Sequence, residues 1–377
     1  MRTADCVIVG AGIAGAATAW HLARLGCERI VILEQERGPA RHASGRSAEM
    51  IRQVVTGAAT ARIARAGRGW LARLAQEWER PELFDERGSL LLSGERGAAA
   101  LREQIEAARQ AGSDVELWDP ARAVELVPAL AQAKFEIAAF TRSDGTVDAP
   151  AIVSRLLADV SARGGEILYD TRYYGVDLDP SGRLVAVFAG DDRIATRTVV
   201  NAAGPWAGAV GELSGAIPIP LAPYRRHILH TGPLESIDTS WPYVWNVEVD
   251  AYFRPDRGGL LACACDHAPM EARDVEVEPT LVPALERKVR DAFPGLSELT
   301  FTQCWAGLRT FAPDGEFVIG PDTRLEGFHW IAGLGGHGIT VGLAAAELAA
   351  QAIASKPSED LLPFLASRYD GKPSLPE

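Results

Sequence analysis

The stretch DCVIVGAGIAGAATAWHLARLG, close to the start of the chain, limits the fold more than any other. Cys6 to Val9 read as a short buried strand, and the small and apolar residues after Gly12 read as a helix. Between them Gly10, Gly12 and Gly15 keep the G-x-G-x-x-G spacing. Gly10 permits a tight turn, Gly12 lets the backbone approach a pyrophosphate, and Gly15 lets the helix pack closely on the strand. The helix N-terminus adds free N–H groups and a positive dipole end. A second apolar strand, Arg29 to Gln35, carries Glu34 near its end, 24 residues beyond Gly10. There a carboxylate accepts bonds from a ribose and repels a 2′-phosphate. Strand, turn, helix, strand and acid in this order imply a dinucleotide site.

At 377 residues the chain is too long for one simple core, so two domains are expected. Its 38 Lys and Arg against 50 Asp and Glu give a net charge of −12, which opposes phosphate backbones and argues against nucleic acid as a partner. Five cysteines (Cys6, Cys27, Cys263, Cys265, Cys304) are odd in number and scattered, which fits a reducing compartment better than a disulfide framework. The run CACDH reads as a strand; a metal site is the alternative, but no second Cys/His pair complements it, so no metal is expected. The opening MRTAD has no charged region, apolar core or cleavage site of a signal peptide. No window approaches the roughly 18 apolar residues of a membrane span. A cytoplasmic protein without an integral membrane span is the expectation.

Apolar spacing predicts helices over 58–79 and 97–112, with GSLLLSG as a strand between them. DPARAVELVPAL reads as a short helix closed by Pro128, and Asp148 with Pro150 mark the start of another. EILYDTRYYGVDLDPSGRLVAVFAG reads as strands with a hairpin at Pro180-Ser181-Gly182. TVVNAAGPWAGAVGELSG and GFHWIAGLGGHGITVGLAAAELAAQAI each read as strand, glycine-rich turn and helix, whereas 217–306 reads as β-rich and aromatic. The expected class is α/β. One Rossmann-type domain is assembled from 1–80, 145–216 and 307–377, and a β-rich substrate domain from 81–144 and 217–306 is inserted into it.

The motifs VIVGAGIAGAATAWHLA, HASGRSAEMIRQ, TVVNAAGPWA, CWAGLRTFAPDG and GFHWIAGLGGHGITVGLAAAELAA occur in this order over essentially the whole chain. Together they resemble the D-amino-acid oxidase/sarcosine oxidase (DAO) family of FAD-dependent oxidoreductases, closest to its D-arginine dehydrogenase-like group. The resemblance implies a glutathione-reductase-like FAD-binding domain with an inserted, mainly antiparallel β substrate domain. It also implies non-covalent FAD, because the cysteine that links the cofactor in sarcosine oxidases is missing near Gly307. The ADP half would lie on Gly10, Gly12, Ile13, Ala14, Gly15, Glu34 and Gln35. Ser44, Gly45, Arg46, Ser47 and Ala48 would pass the pyrophosphate and flavin, with Arg46 meeting phosphate charge. Val176 would offer backbone groups to the adenine, and Ala203, Gly204 and Trp206 would lie near the ribose and pyrophosphate. The turn from Gly333 to Thr340, through Gly335, Gly336, His337, Gly338 and Ile339, would set N–H groups and a helix N-terminus at the flavin's N1–C2=O end.

On the substrate side, the resemblance implies that Arg309 borders the flavin and clamps a carboxylate by two parallel hydrogen bonds, which lysine cannot copy. Tyr252 and Arg226 would stand beside the same carboxylate, or else be ordinary β-domain residues. His337 would tune the local proton balance or cap the helix. Arg52 would reach the carboxylate, as in sarcosine oxidases, or pair with a neighbouring acid. Ser89 falls where the D-arginine dehydrogenases place the carboxylate that recognises guanidinium, and Met50 and Val55 replace a histidine and a tyrosine. A neutral or apolar side chain, or an N-alkyl or cyclic amine, is therefore expected rather than D-arginine. GGLLACACDHA lacks the lysine that promotes oxygen reactivity in sarcosine oxidases, which favours a dehydrogenase with a quinone acceptor over an oxidase using O2. The expected reaction oxidises a C–N bond of an amino or N-substituted amino acid by hydride transfer to flavin N5, giving an imine that hydrolyses. An FAD-dependent 2-hydroxyacid dehydrogenase on the same fold, or an FAD-binding subunit of a hetero-oligomeric dehydrogenase, are the alternatives. Oligomerisation is left open.

Overall fold

In the computed structural model, which describes residues 2–371, the opening apolar run forms a strand at Cys6–Val9 with all four residues buried. Met1 and the end of the C-terminal segment, 372–377, lie outside the described residues. The strand sits inside a six-stranded sheet ordered Glu166–Leu168, Ile30–Leu33, Cys6–Val9, Val199–Asn201, Phe328–Ala332, Val318–Pro321. The first five strands run parallel and the last is antiparallel. Parallel strands must be covered on both faces. Alternate residues meet that need: Ile8, Ile32 and Ile331 pack with the helices Ile13–Arg24, Ala58–Glu77, Ala149–Ala162 and Gly338–Ile353. Val7, Val31 and Trp330 point the other way, into a core shared with a four-stranded sheet and the short helix Ala207–Ser214. The α/β class is as expected, and three βα turns far apart in sequence meet in one sheet.

A second sheet of nine strands stands over the cofactor-type turns. Its order is Ala268–Pro269, Ala222–Pro233, Gly259–Cys263, Ala251–Asp256, Tyr243–Asn246, Ser89–Ser93, Ile137–Thr141, Val115–Trp118, with Gln303–Phe311 paired along Ala222–Pro233. Tyr243–Asn246 and Ser89–Ser93 pair in parallel, and the other pairs are antiparallel. Gln303–Phe311 runs through Gly307, so the boundary expected there falls inside a strand.

Two local readings are corrected. The β-rich stretch 217–306 also holds a helix, Val282–Ala292, with a proline in its first turn. It buries only Leu285 and Val289, one turn apart among charged residues, so its apolar stripe was too thin to read. The strand expected across CACDH stops at Cys263, because Cys265 adopts a left-handed φ of 50° and turns the backbone away. Among the described residues no helix is long and apolar enough to cross a membrane.

The helices 58–77 and 338–353 approach closely through Gly67. A Cβ there would fall 2.0 Å from the Thr340 carbonyl oxygen, which is backbone and cannot swing aside. Gly67→Val should therefore prise the two helices apart and destabilise the chain by about 1–3 kcal/mol. Urea unfolding measures this, and an unchanged midpoint would contradict the packing described here.

Candidate active site

One cleft begins at the first glycine turn, follows residues 44–52 and ends against the inner face of the nine-stranded sheet. Gly10, Gly12, Ile13, Ala14, Glu34 and Gln35 line its first end. Gly10 has φ +107°, and a Cβ there would stand 2.5 Å from the Ala202 carbonyl oxygen. The buried Glu34 carboxylate accepts the Ala11 N–H at 2.8 Å and the Glu36 N–H at 3.0 Å, which aims it into the turn. Burial raises its pKa, and those two N–H bonds oppose the rise. Ser44 Oγ accepts the Ile13 N–H at 3.0 Å, tying the next loop to the helix start. Ser44, Arg46, Ser47, Ala48, Ala203, Gly204 and Trp206 line the middle, and Gly335 through Thr340 close the far end.

Several expected contacts fall elsewhere. Gly15 and Gly45 are off the cleft wall and act through packing: a Cβ would meet the Gly10 carbonyl oxygen at 1.9 Å and the Ala40 carbonyl oxygen at 2.2 Å, respectively. Arg46 does not offer its guanidinium to a phosphate. It donates to the Val275 and Ala306 carbonyls at 2.9 and 3.3 Å and pairs with Asp274. Val176 is held in register with Val187, three residues along its strand, and Thr171, Arg172 and Tyr173 line the cleft instead. Ser89 is fully buried off the cleft, where its hydroxyl donates to Asp144 at 2.7 Å, so its identity does not bear on substrate charge. Met50 lines the cleft, while Val55 packs in the main helical core. Sequence reasoning missed His42, whose ring lies 4.6 Å from that of Trp206, and Trp245. Trp245 was open to discovery through its alternation with the buried Tyr243.

At the sheet end, Arg309 and Arg226 come from paired strands. The register Arg226↔Gly307 and Tyr224↔Arg309 makes the two arginines diagonal neighbours on one face. The Nε and Nη2 of Arg309 are buried without a hydrogen-bond partner. Its Nη1 lies 3.1 Å from where a Cβ of Gly336 would stand, so the guanidinium rests against the glycine turn. Burial foremost, then Arg226, lowers its pKa. Arg226 is better satisfied: it donates to the Asp266 and Cys265 carbonyls, each at 3.2 Å, with Asp250 at 3.8 Å. Tyr252 is buried, directly across from Trp245 on one side and Cys263 on the other. Burial pushes its hydroxyl well above the ordinary tyrosine value, so it stays protonated as a donor.

Arg52 has no carboxylate within ion-pair reach among the described residues; burial lowers its pKa, and Asp250 and Asp144, farther off, act against the drop. Its backbone N–H donates to Thr340 Oγ1 at 3.1 Å, its Nε is buried unpartnered, and its guanidinium lies 4.2 Å over the Trp245 ring. His337 occupies the N-cap position of the helix Gly338–Ile353 but makes no capping bond with its side chain. Burial, then Arg52 and Arg309, push its pKa down to about 3. The shift favours the neutral ring, and of the two roles expected of His337 the side-chain cap is not formed. Behind Arg52, fully buried Asp144 accepts the Gln53 N–H at 3.2 Å and the Gln53 side-chain N–H at 2.8 Å, besides Ser89. This network fixes the backbone that presents Arg52.

The residues present fit FAD. A glycine cradle at a helix start suits a pyrophosphate, the Glu34 carboxylate suits a ribose, and an open glycine turn before a second helix suits the flavin ring. Fold and cleft thus define a flavin-dependent oxidoreductase. The family model described as FAD dependent oxidoreductase matches residues 5–352, and the chain belongs to that family, with FAD as its cofactor. The chain is similar to human mitochondrial sarcosine dehydrogenase, with 24% identity over 387 residues covering 97% of this chain and 41% of that protein. It is also similar to D-amino acid dehydrogenase of Rhodopseudomonas palustris (strain HaA2), with 28% identity over 296 residues covering 76% of this chain and 68% of that one. The chain spans about two fifths of the length of the sarcosine dehydrogenases it matches. Among solved structures, L-proline dehydrogenase from P. horikoshii superposes with a TM-score of 0.88 at 23% identity, covering 98% of this chain and 97% of that one. Glycine oxidase from Geobacillus kaustophilus gives 0.85 at 24%, covering 98% and 99%. These likenesses establish a shared fold.

Burial raises the Asp144 carboxyl to about 7, against the hydrogen bonds from Gln53 and Ser89. An unfolded aspartate titrates near about 3.9. Between those values the folded chain holds a proton that the unfolded chain has lost, so this group's contribution to stability falls as pH rises from about 4 to about 7, then levels off. Asp144→Asn removes that contribution. The difference in Tm between Asp144→Asn and the parent should grow in the variant's favour across this window; a flat difference would contradict the assignment.

Proposed function

We propose that the chain oxidises the C–N bond of an amino acid or N-substituted amino acid, as a dehydrogenase rather than a fast oxidase. One observation carries the reading: Arg309 holds two buried, unpartnered donors against the glycine turn that suits the flavin. A planar fork of this kind matches a carboxylate in two-pronged fashion, and a carboxylate fixed there sets the neighbouring carbon beside the turn. When bound, FAD supplies the sink for the hydride leaving that carbon.

The chain's own residues do the rest. Arg226 stands diagonal to Arg309 and reinforces the anion site, although its carbonyl partners leave it fewer donors to give. Tyr252 offers a protonated hydroxyl from the sheet. Neutral His337 keeps a further positive charge away from the amine, which must itself be deprotonated to push the hydride out. No protein base is required for that step, and water hydrolyses the imine. No lysine lines the cleft, which supports the preference for an acceptor other than oxygen.

The test is anaerobic mixing of the flavin-loaded protein with D-amino acids, sarcosine, proline, glycine and 2-hydroxy acids. Bleaching by an amine, followed by faster turnover with an artificial acceptor than with O2, is the expected result. Bleaching by a 2-hydroxy acid alone would overturn it. Arg309→Met should lower kcat/KM for flavin reduction by about a hundredfold or more, and Arg309→Lys should recover little of it.

A further inference from the structure

Glu49 stands where the loop that passes the cofactor, 44–48, gives way to the stretch 50–52 on the substrate side, and it lines the cleft itself. Its backbone adopts a left-handed φ of 58° although it is not a glycine. A residue with a Cβ stays in that region only where its surroundings over-determine it, and such corners gather at functional sites. The next two residues, Met50–Ile51, pair with Gly145–Val147, and the Glu49 carbonyl accepts the Val147 N–H at 3.0 Å. The left-handed corner is thus what turns the chain from the cofactor loop into this strand.

Both carboxylate oxygens of Glu49 are engaged. Oε1 accepts the Ala149 N–H at 3.2 Å, at the start of the helix Ala149–Ala162, and Oε2 meets Arg254 Nη2 at 3.3 Å. The pair is shielded, with the Arg254 side chain 6% and that of Glu49 14% exposed. Arg254 comes from the strand Ala251–Asp256 of the nine-stranded sheet. Its Nε donates to the Ala48 carbonyl at 2.8 Å, and its Nη1 pairs with Asp256 at 2.9 Å. One planar guanidinium therefore grips the carbonyl just before the corner and the side chain at the corner, which fixes the plane of the peptide between them. The Glu49 N–H in turn donates to Ser47 Oγ at 3.2 Å, and that hydroxyl donates to the Ser44 carbonyl at 3.1 Å. A buried ion pair adds little net stability over a well-packed apolar pair, so stability alone does not account for this one.

We infer that Glu49 and Arg254 are positioning residues for FAD: the clamp between them holds the left-handed corner at residue 49, and the corner holds the loop 44–48 against the cofactor. The inference goes beyond the amine-oxidation reading and does not depend on which substrate is oxidised. It also ties the cofactor loop to both parts of the fold, through Ala149 on the helical side and Arg254 on the substrate sheet.

The experiment compares Glu49→Gln, Glu49→Gly, Glu49→Ala and Arg254→Lys with the parent as flavin-loaded proteins. The rate of FAD release on dilution is read by flavin fluorescence, and the visible absorption band reports how the bound flavin is held. Glu49→Gln keeps an oxygen for Ala149 and Arg254, so it should stay close to the parent in both. Glu49→Ala loses the anchor and disfavours the left-handed φ, so it should release FAD about tenfold faster, with its band shifted towards that of free FAD. Glu49→Gly loses the anchor but tolerates that φ, and should fall between the two. Arg254→Lys keeps the charge but cannot grip both points, and should resemble Glu49→Ala. A pair that served stability alone predicts the reverse order of Gly and Ala, because glycine loses more chain entropy on folding. Faster release from Glu49→Gly than from Glu49→Ala, or parental release and band in Glu49→Ala or Arg254→Lys, would overturn the inference. If Glu49→Ala does not fold, Glu49→Gly against Glu49→Gln decides: faster release from the glycine variant supports the clamp, and equal release overturns it.

Discussion

The architecture turns on backbone-to-backbone contacts around the first glycine turn. Gly15 lies so near the Gly10 carbonyl that no side chain fits, and Gly10 is itself close to Ala202, just past the end of the neighbouring strand. Gly342 sits against Ile13 at the same seam. These contacts bring the helix Ile13–Arg24, the strand Val199–Asn201 and the helix Gly338–Ile353 together at one end of the parallel sheet. Two helix N-termini and a carboxylate then face a single cleft. Any Cβ at Gly10 or Gly15 would separate the elements, and the cofactor cradle is nothing more than the space their approach leaves.

The opposite wall of the cleft is built on different physics. There the nine-stranded sheet presents arginines whose charges the protein does not fully answer. Arg226 is quieted by two carbonyls and Asp250, whereas Arg309 and Arg52 have no hydrogen-bonding protein partner for their side chains. Burial, and after it the same positive field, lowers the His337 pKa. Unpartnered guanidinium groups thus line the cleft next to the cofactor cradle, as the proposed oxidation of a carboxylate-bearing substrate requires. Rigidity comes from behind the wall, where Asp144, Gln53, Ser89 and Tyr243 form a buried polar cluster around residues 51–53.

Much of this was legible in the residues. The strand Cys6–Val9 and the helix starting after Asp148 appear where apolar period and capping chemistry put them. Arg46 shows the limit of such reading: it stands in the loop that passes the cofactor, yet Asp274, far along the chain, claims its guanidinium. Ser89 shows the same limit. Its place in the strand was clear, but which face it showed depended on Asp144 lying beneath it. The helix Val282–Ala292 escaped because tertiary packing stabilises it through two apolar residues, too few to mark a period.

By itself the sequence determined the cofactor end of this protein, because a glycine spacing, a helix start and an acid at a strand end are local features, set by covalent geometry and short-range sterics. Only the tertiary structure decided the substrate end. Whether an arginine is a ligand-binding cation or half of a salt bridge depends on which acids come within a few ångströms. For Arg46, Arg52, Arg226 and Arg309 those neighbours arrive from strands and loops far away in the chain.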